Sequence, residues 1–87
     1  MTQEKITLEM RGIPRNYFVE YFNEIVCTQL GNSRYKGIGW EVEIDDEHYC
    51  FLGSIKISVT KIFITGEEEH CQNLIVKFNR KFLRVGG

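Results

Sequence analysis

His48 and Cys50 stand two residues apart and His70 and Cys71 are adjacent, so the chain carries two pairs of soft metal donors. A tetrahedral site needs such donors to converge. On a strand residues 48 and 50 would share a face, but on a helix 70 and 71 point apart, and Cys71 also fits an apolar helical stripe. The spacing of zinc-binding motifs is absent, so no metal and no cofactor are expected. Cys27, Cys50 and Cys71 are widely spaced and odd in number, which suits reduced thiols rather than a disulfide framework.

Nucleophilic and acid–base catalysis have as little to draw on. No serine, cysteine or histidine is spaced for a nucleophile with its base, and Gly37-Ile38-Gly39 is a bare Gly-x-Gly without phosphate-loop spacing. Glu43, Asp45, Asp46 and Glu47 read as the solvated tip of a hairpin. The chain is therefore expected not to be an enzyme. Two other features offer binding chemistry. Lys77, Arg80, Lys81 and Arg84 gather at the end of a helical pattern, where the dipole alone favours cations. With Arg34 and Lys36 from a glycine-flanked segment, Arg80, Lys81 and Arg84 form the candidate site for an anionic group or acidic partner. The second feature is Val85-Gly86-Gly87, since a diglycine end is slim enough for its carboxylate to reach an activating enzyme and become an adenylate, as in small sulfur carriers. Gly86 and Gly87 are the candidate carrier tail, although Gly86 also suits a helix stop.

These residues must be positioned by one small domain. The 87 residues include 43% hydrophobic and 26% charged positions and one proline, a globular profile with room for a single core. Eleven basic against twelve acidic residues leave a net charge of −1, so no overall field attracts nucleic acid or anionic lipid. The opening MTQEKITLEMRG lacks a signal core, and no run approaches the roughly eighteen apolar residues of a membrane span. A cytoplasmic location without a membrane partner is expected.

Ile6, Leu8 and Met10 alternate with polar residues and predict a strand over about 4–11. Pro14 opens a helix whose apolar positions Phe18, Tyr21, Phe22 and Ile25 carry it to about residue 30, with Gly31 as its stop and a loop following to Gly39. Trp40, Val42 and Ile44 form a strand that turns at Asp45-Asp46-Glu47 and returns from His48 to Leu52. Ile55, Ile57 and Val59 then give way to Ile62 and Ile64, a change of parity that predicts a bulge or kink near Thr60-Lys61, or a turn dividing the run. Cys71, Leu74, Ile75, Phe78 and Phe82 define a second helix over about 66–84, with Thr65 as N-cap.

The order β-α-β-β-β(-β)-α implies an α+β fold, a two-layer sandwich with both helices on one face of a mostly antiparallel sheet. Its core should hold Ile6, Leu8, Phe18, Phe22, Ile25, Trp40, Val42, Ile57, Ile62, Ile64, Leu74, Ile75 and Phe78. Trp40 either anchors that core beside the first helix or stands at the mouth of a groove with Tyr35 and the glycines 37 to 39. The open face would carry Thr7, Glu9, Glu41, Glu43, Lys56, Ser58 and Phe63. Mixed charges there favour Glu–Lys pairing over nucleic-acid binding, while Phe63, with Tyr49 and Phe51, offers a contact for a homodimer.

The element order, the strand GWEVEI, the segment LGSIKISVTKIFITGEE and the ending KFNRKFLRVGG together resemble the small C-terminal domain of molybdopterin-synthase-small-subunit-related (MoaD-related) proteins. The resemblance spans nearly the whole chain. It implies a two-layer sandwich and a supporting role near molybdenum- or tungsten-cofactor assembly, as the protein partner of a sulfur carrier or of the enzymes that carrier serves. It assigns no residue roles.

Overall fold

The computed structural model describes residues 3–25 and 27–86, with side chains as far as Phe82. Strand β1 (Gln3–Arg11) leads to helix α1 (Arg15–Glu24), the short strands β2 (Thr28–Gln29) and β3 (Arg34–Gly37), then β4 (Trp40–Ile44), β5 (His48–Leu52), the long β6 (Ile55–Glu67) and helix α2 (Glu68–Gly86). Every pairing is antiparallel, in the order β1-β6-β4-β3-β2, with β5 also on β6. Phe18 and Phe22 of α1 and Cys71, Leu74 and Phe78 of α2 meet Val42, Ile44, Ile62 and Ile64 in the buried core, so both helices cover one sheet face. The α+β sandwich read from the sequence is the fold. Met10, Tyr21 and Tyr35 are also buried, while Ile6, Leu8, Ile25, Trp40 and Ile75 flank the core half-buried.

Helix α1 stops at Glu24, not near residue 30: β2 stands where the helix was expected to end, and the expected loop contains β3. Ile25-Val26-Cys27-Thr28 crowds β-branched side chains that a helix tolerates poorly. Ile25 takes extended backbone while its N–H still donates to the Tyr21 carbonyl at 3.2 Å, and the Cys27 thiol donates to the Phe22 carbonyl at 3.0 Å. The N-terminus of α1 has a remote cap. Pro14 supplies no side-chain bond, and the Arg15 N–H donates to Glu47 Oε1 at 2.6 Å. The Arg15 guanidinium in turn donates to the carbonyls of Asp45 at 2.9 Å and Ile44 at 3.3 Å.

Asp45-Asp46-Glu47 is thus not a hairpin tip. It joins two strands that run in the same direction along the same edge of β6: Ile44 pairs Ile62 and His48 pairs Val59, so three residues, 45 to 47, face only Thr60 and Lys61. The one extra residue lies in this partner segment and inverts β5 relative to β4. β6 itself has no bulge or turn, for its register with β1 is continuous from Val59 to Glu67. The chain reverses at Gly53-Ser54, where Gly53 has φ 64. Thr60, Ile62 and Ile64 therefore face the helices, whereas Ile55, Ile57 and Val59 face away, and Ile57 lies outside the core.

β6 also runs past Thr65, the expected N-cap, to Glu67, whose N–H donates to the Gly39 carbonyl at 2.9 Å. Helix α2 begins there and keeps helical backbone through Gly86, the expected stop. Gly66 makes this joint possible: its φ is 147, and a Cβ would overlap the Gly39 carbonyl oxygen. Gly66→Ala is accordingly expected to cost about 1–3 kcal/mol in urea unfolding. A second expectation concerns acid. The Arg15 N–H, then the Tyr49 hydroxyl, hold the Glu47 carboxyl below its ordinary value. Its contribution is complete above the unfolded-state pKa and is lost as pH falls through the lower folded one, so below about pH 5 Tm should fall less steeply in Glu47→Gln than in the parent.

Candidate functional site

Strands β3 and β4 are joined by the two residues Ile38 and Gly39, between the paired Gly37 and Trp40. The turn's glycines are seats for two rings. A Cβ on Gly37 would overlap the Trp40 indole, and one on Gly39, at φ 79, would overlap the His70 imidazole. Trp40 also reaches the Phe22 ring, with centroids 6.1 Å apart, so it both anchors the core and walls a groove. His70 Nε2 lies 3.4 Å from Glu67 Oε2, one turn earlier along the chain. Ile38 stands at the apex with 84% of its surface exposed.

A groove of about 440 Å³ opens between this turn and the helices, lined by Tyr21, Ile25, Ile38, Trp40, His70, Asn73, Leu74 and Lys77. Positions 70, 73, 74 and 77 are one face of α2 by helical spacing. The floor is apolar and aromatic; among the described residues the rim carries the imidazole, with the Glu67 carboxylate beside it, an amide and an ammonium. Such a lining suits an apolar or flat group that ends in an acid. Behind the Trp40–His70 wall a second hollow of about 490 Å³ is lined by Lys36, Gly66 and Glu67 among others. The groove offers no nucleophile paired with a base.

The cations singled out in the sequence do not converge. Arg34 and Lys36 flank the buried Tyr35 and so stand on the sheet face away from the helices, Arg34 in an ion pair with Glu41. Arg80 and Lys81 are exposed in the helical layer. The side chain of Arg84 and the whole of Gly87 lie outside the described residues, and Gly86 closes α2. The soft donors fall at two places: His48 and Cys50 share one face of β5, while Cys71 is buried in the core and His70 sits on Gly39. Burial pushes the Cys27 and Cys71 thiols up. Among the described residues no three histidine, cysteine or carboxylate groups cluster for a metal ion, and no helix is long and apolar enough to cross a membrane.

The open sheet face carries Thr7, Glu9, Glu41, Glu43 and a half-buried Phe63, but Lys56 and Ser58 point to the helix side because β6 keeps one phase. Sequence reasoning offered a groove at Trp40 and the glycines 37 to 39 but lined it with Tyr35, which is buried in the core, and missed the wall that α2 supplies. The signal for that wall was the polar line His70, Asn73, Lys77 beside the apolar stripe of α2.

A protein-family model described as archaeal MoaD-like protein matches residues 6–87. No curated protein matches the chain. The lone tryptophan makes the groove wall measurable. Gly37→Val should drive the indole off its seat and red-shift its fluorescence, whereas Ile38→Asp, at an exposed apex, should leave the emission in place and stability within about 0.5 kcal/mol of the parent.

Proposed function

Because the chain belongs to the archaeal MoaD-like protein family, we propose that it is a non-enzymatic, cytoplasmic adaptor in sulfur-carrier and molybdenum- or tungsten-cofactor metabolism, and that it receives a protein partner in the Trp40 groove. The observation that carries this reading is the groove's lining: an apolar floor under Ile38 and Trp40, with Lys77 and His70 at its rim. An exposed isoleucine beside a half-buried tryptophan is the kind of pair that dominates protein contacts, and the rim cation selects an acidic neighbour. The partner that fits is a protein presenting an apolar side chain next to a carboxylate. Family membership makes a sulfur carrier, or an enzyme that it serves, the first one to try.

The competing reading is a carrier whose own Gly87 carboxylate is activated. That chemistry needs an extended diglycine, and α2 holds Gly86 in helical backbone.

Titration calorimetry of the host's sulfur carrier into the full chain tests the proposal. Ile38→Asp and Lys77→Glu should each weaken binding about tenfold or more, while a chain lacking Gly87 binds as the parent does. Parent-like affinity in both groove variants would remove the groove from the account. An intact mass raised by about 16 Da at Gly87, the replacement of a carboxylate oxygen by sulfur, would put the carrier in place of the adaptor.

A further inference from the structure

Strand β1 ends at Arg11, and its last rung is the Gly12 N–H donating to the Ser58 carbonyl at 2.8 Å. Beyond it, residues 55–57 of β6 and the end of β5 continue as an arm of two strands. Tyr49, Phe51, Leu52 and Ile55 are each more than half exposed on this arm, Phe51 at 65% and Ile55 at 64%. Leu52 and Ile55 share one face with Cys50 and Ile57, and Tyr49 and Phe51 share the other with Lys56, whose Nζ lies 4.1 Å above the Tyr49 ring. An isolated ribbon of two strands is marginal in water, and this one presents apolar side chains on both sides.

Its free edge can be read residue by residue. A two-residue turn makes Leu52–Ile55 the hydrogen-bonded closing pair, so Cys50–Ile57 and His48–Val59 exchange bonds as well. Tyr49 and Phe51 then direct their N–H and C=O groups away from β6. β3 follows β4 only as far as Arg34 opposite Glu43, with the Ile44 N–H donating to the Ser33 carbonyl at 2.8 Å, and among the described residues no strand pairs the outer edge of β5. The residues HYCFL include no lysine, carboxylate, proline or glycine, the devices that usually keep an edge from pairing.

From these features we infer that β5 pairs antiparallel with β5 of a second copy, about a two-fold axis through Cys50, to form a continuous β6-β5-β5-β6 sheet. The register that pairs the whole strand with itself sets Tyr49 against Phe51 twice, His48 against Leu52 twice, and Cys50 against Cys50. No like charges oppose one another, and the bonds that Tyr49 and Phe51 leave unmade are the ones exchanged. Each body lies beyond the tip of the other's arm. The exposed side chains of β5 flank the ladder on both of its faces, which makes the contact self-complementary and isologous. This surface is separate from the Trp40 groove, and its loss leaves the groove intact.

Cys50 provides the direct test, because residues opposite each other at a non-hydrogen-bonded site come within about 4.5 Å between Cα atoms. Diamide takes two electrons and two protons from a pair of thiols and leaves one disulfide. At about 100 μM protein, the parent chain should sediment as a dimer and diamide should convert it to a Cys50–Cys50 dimer, identified by peptide mapping. Cys50→Ser should sediment as a dimer but not cross-link. Phe51→Pro removes an N–H that points to the open edge and no bond within the chain, so it should be a folded monomer that diamide leaves uncoupled. A parent that sediments as a monomer and gives no Cys50 disulfide overturns the inference. So does a dimer that survives Phe51→Pro unchanged, which would indicate another interface. Should Phe51→Pro fail to fold, sedimentation and cross-linking of the parent still decide the matter.

Discussion

Strand β6 is hydrogen-bonded on both edges, and that double pairing sets the place of every other element. One edge carries β1 in unbroken register; the other carries β4 and then β5. Because β6 keeps a single phase over its 13 residues, its even positions from Thr60 onward form the floor on which both helices rest. The aromatic cluster of Phe18, Phe22, Phe78 and Phe82, with Phe78 and Phe82 centroids 4.7 Å apart, fills the space between helices and floor. A strand free on one side could shift by a residue to relieve a poor contact. One held on both sides cannot, so mismatches are taken up in its partners.

The groove inherits that rigidity. Gly66 lets the end of β6 pass close under the Gly39 carbonyl, the Glu67 N–H fastens the β3–β4 turn to the start of α2, and the missing side chains of Gly37 and Gly39 give two rings flat places to lie. Ile38 is then the only side chain of the two-residue turn that can reach a partner. The site is built from backbone proximity more than from charged chemistry.

Most of the fold was legible because its signals are periodic. The alternation in β1 and β4 and the stripe of α2 each identify an element and its buried face. Ile62 and Ile64 were read correctly as inward, but the parity change ahead of them belongs to the apolar pattern alone, since β6 keeps one phase and turns Ile55, Ile57 and Val59 to the other face. What was not legible is the added residue in the segment opposite, at 45 to 47, where three acids imitate a turn and β5 is inverted relative to β4. Glu47 turned out to serve α1, a contact 32 residues distant in sequence that no local pattern encodes. The α2 side of the groove was hidden for a related reason. Ile38, Trp40, His70 and Lys77 come from two elements, and only the register of β4 on β6 brings them together.

The residues Asp45-Asp46-Glu47 have a consequence for how this chain can vary. Which side of a sheet a residue faces is a two-valued property, and each inserted or deleted residue inverts it for everything downstream in that strand. Even-numbered side chains face the helices in β4 and the opposite side in β5, so the segment is an inverter spliced into one edge of the sheet. Substitutions there are cheap in comparison with changes of length. Loss of a single residue would exchange the sides of the arm on which Cys50 and Leu52, and Tyr49 and Phe51, stand. The body and the arm of this protein can therefore evolve separately, with one short segment as the point at which their phases are set.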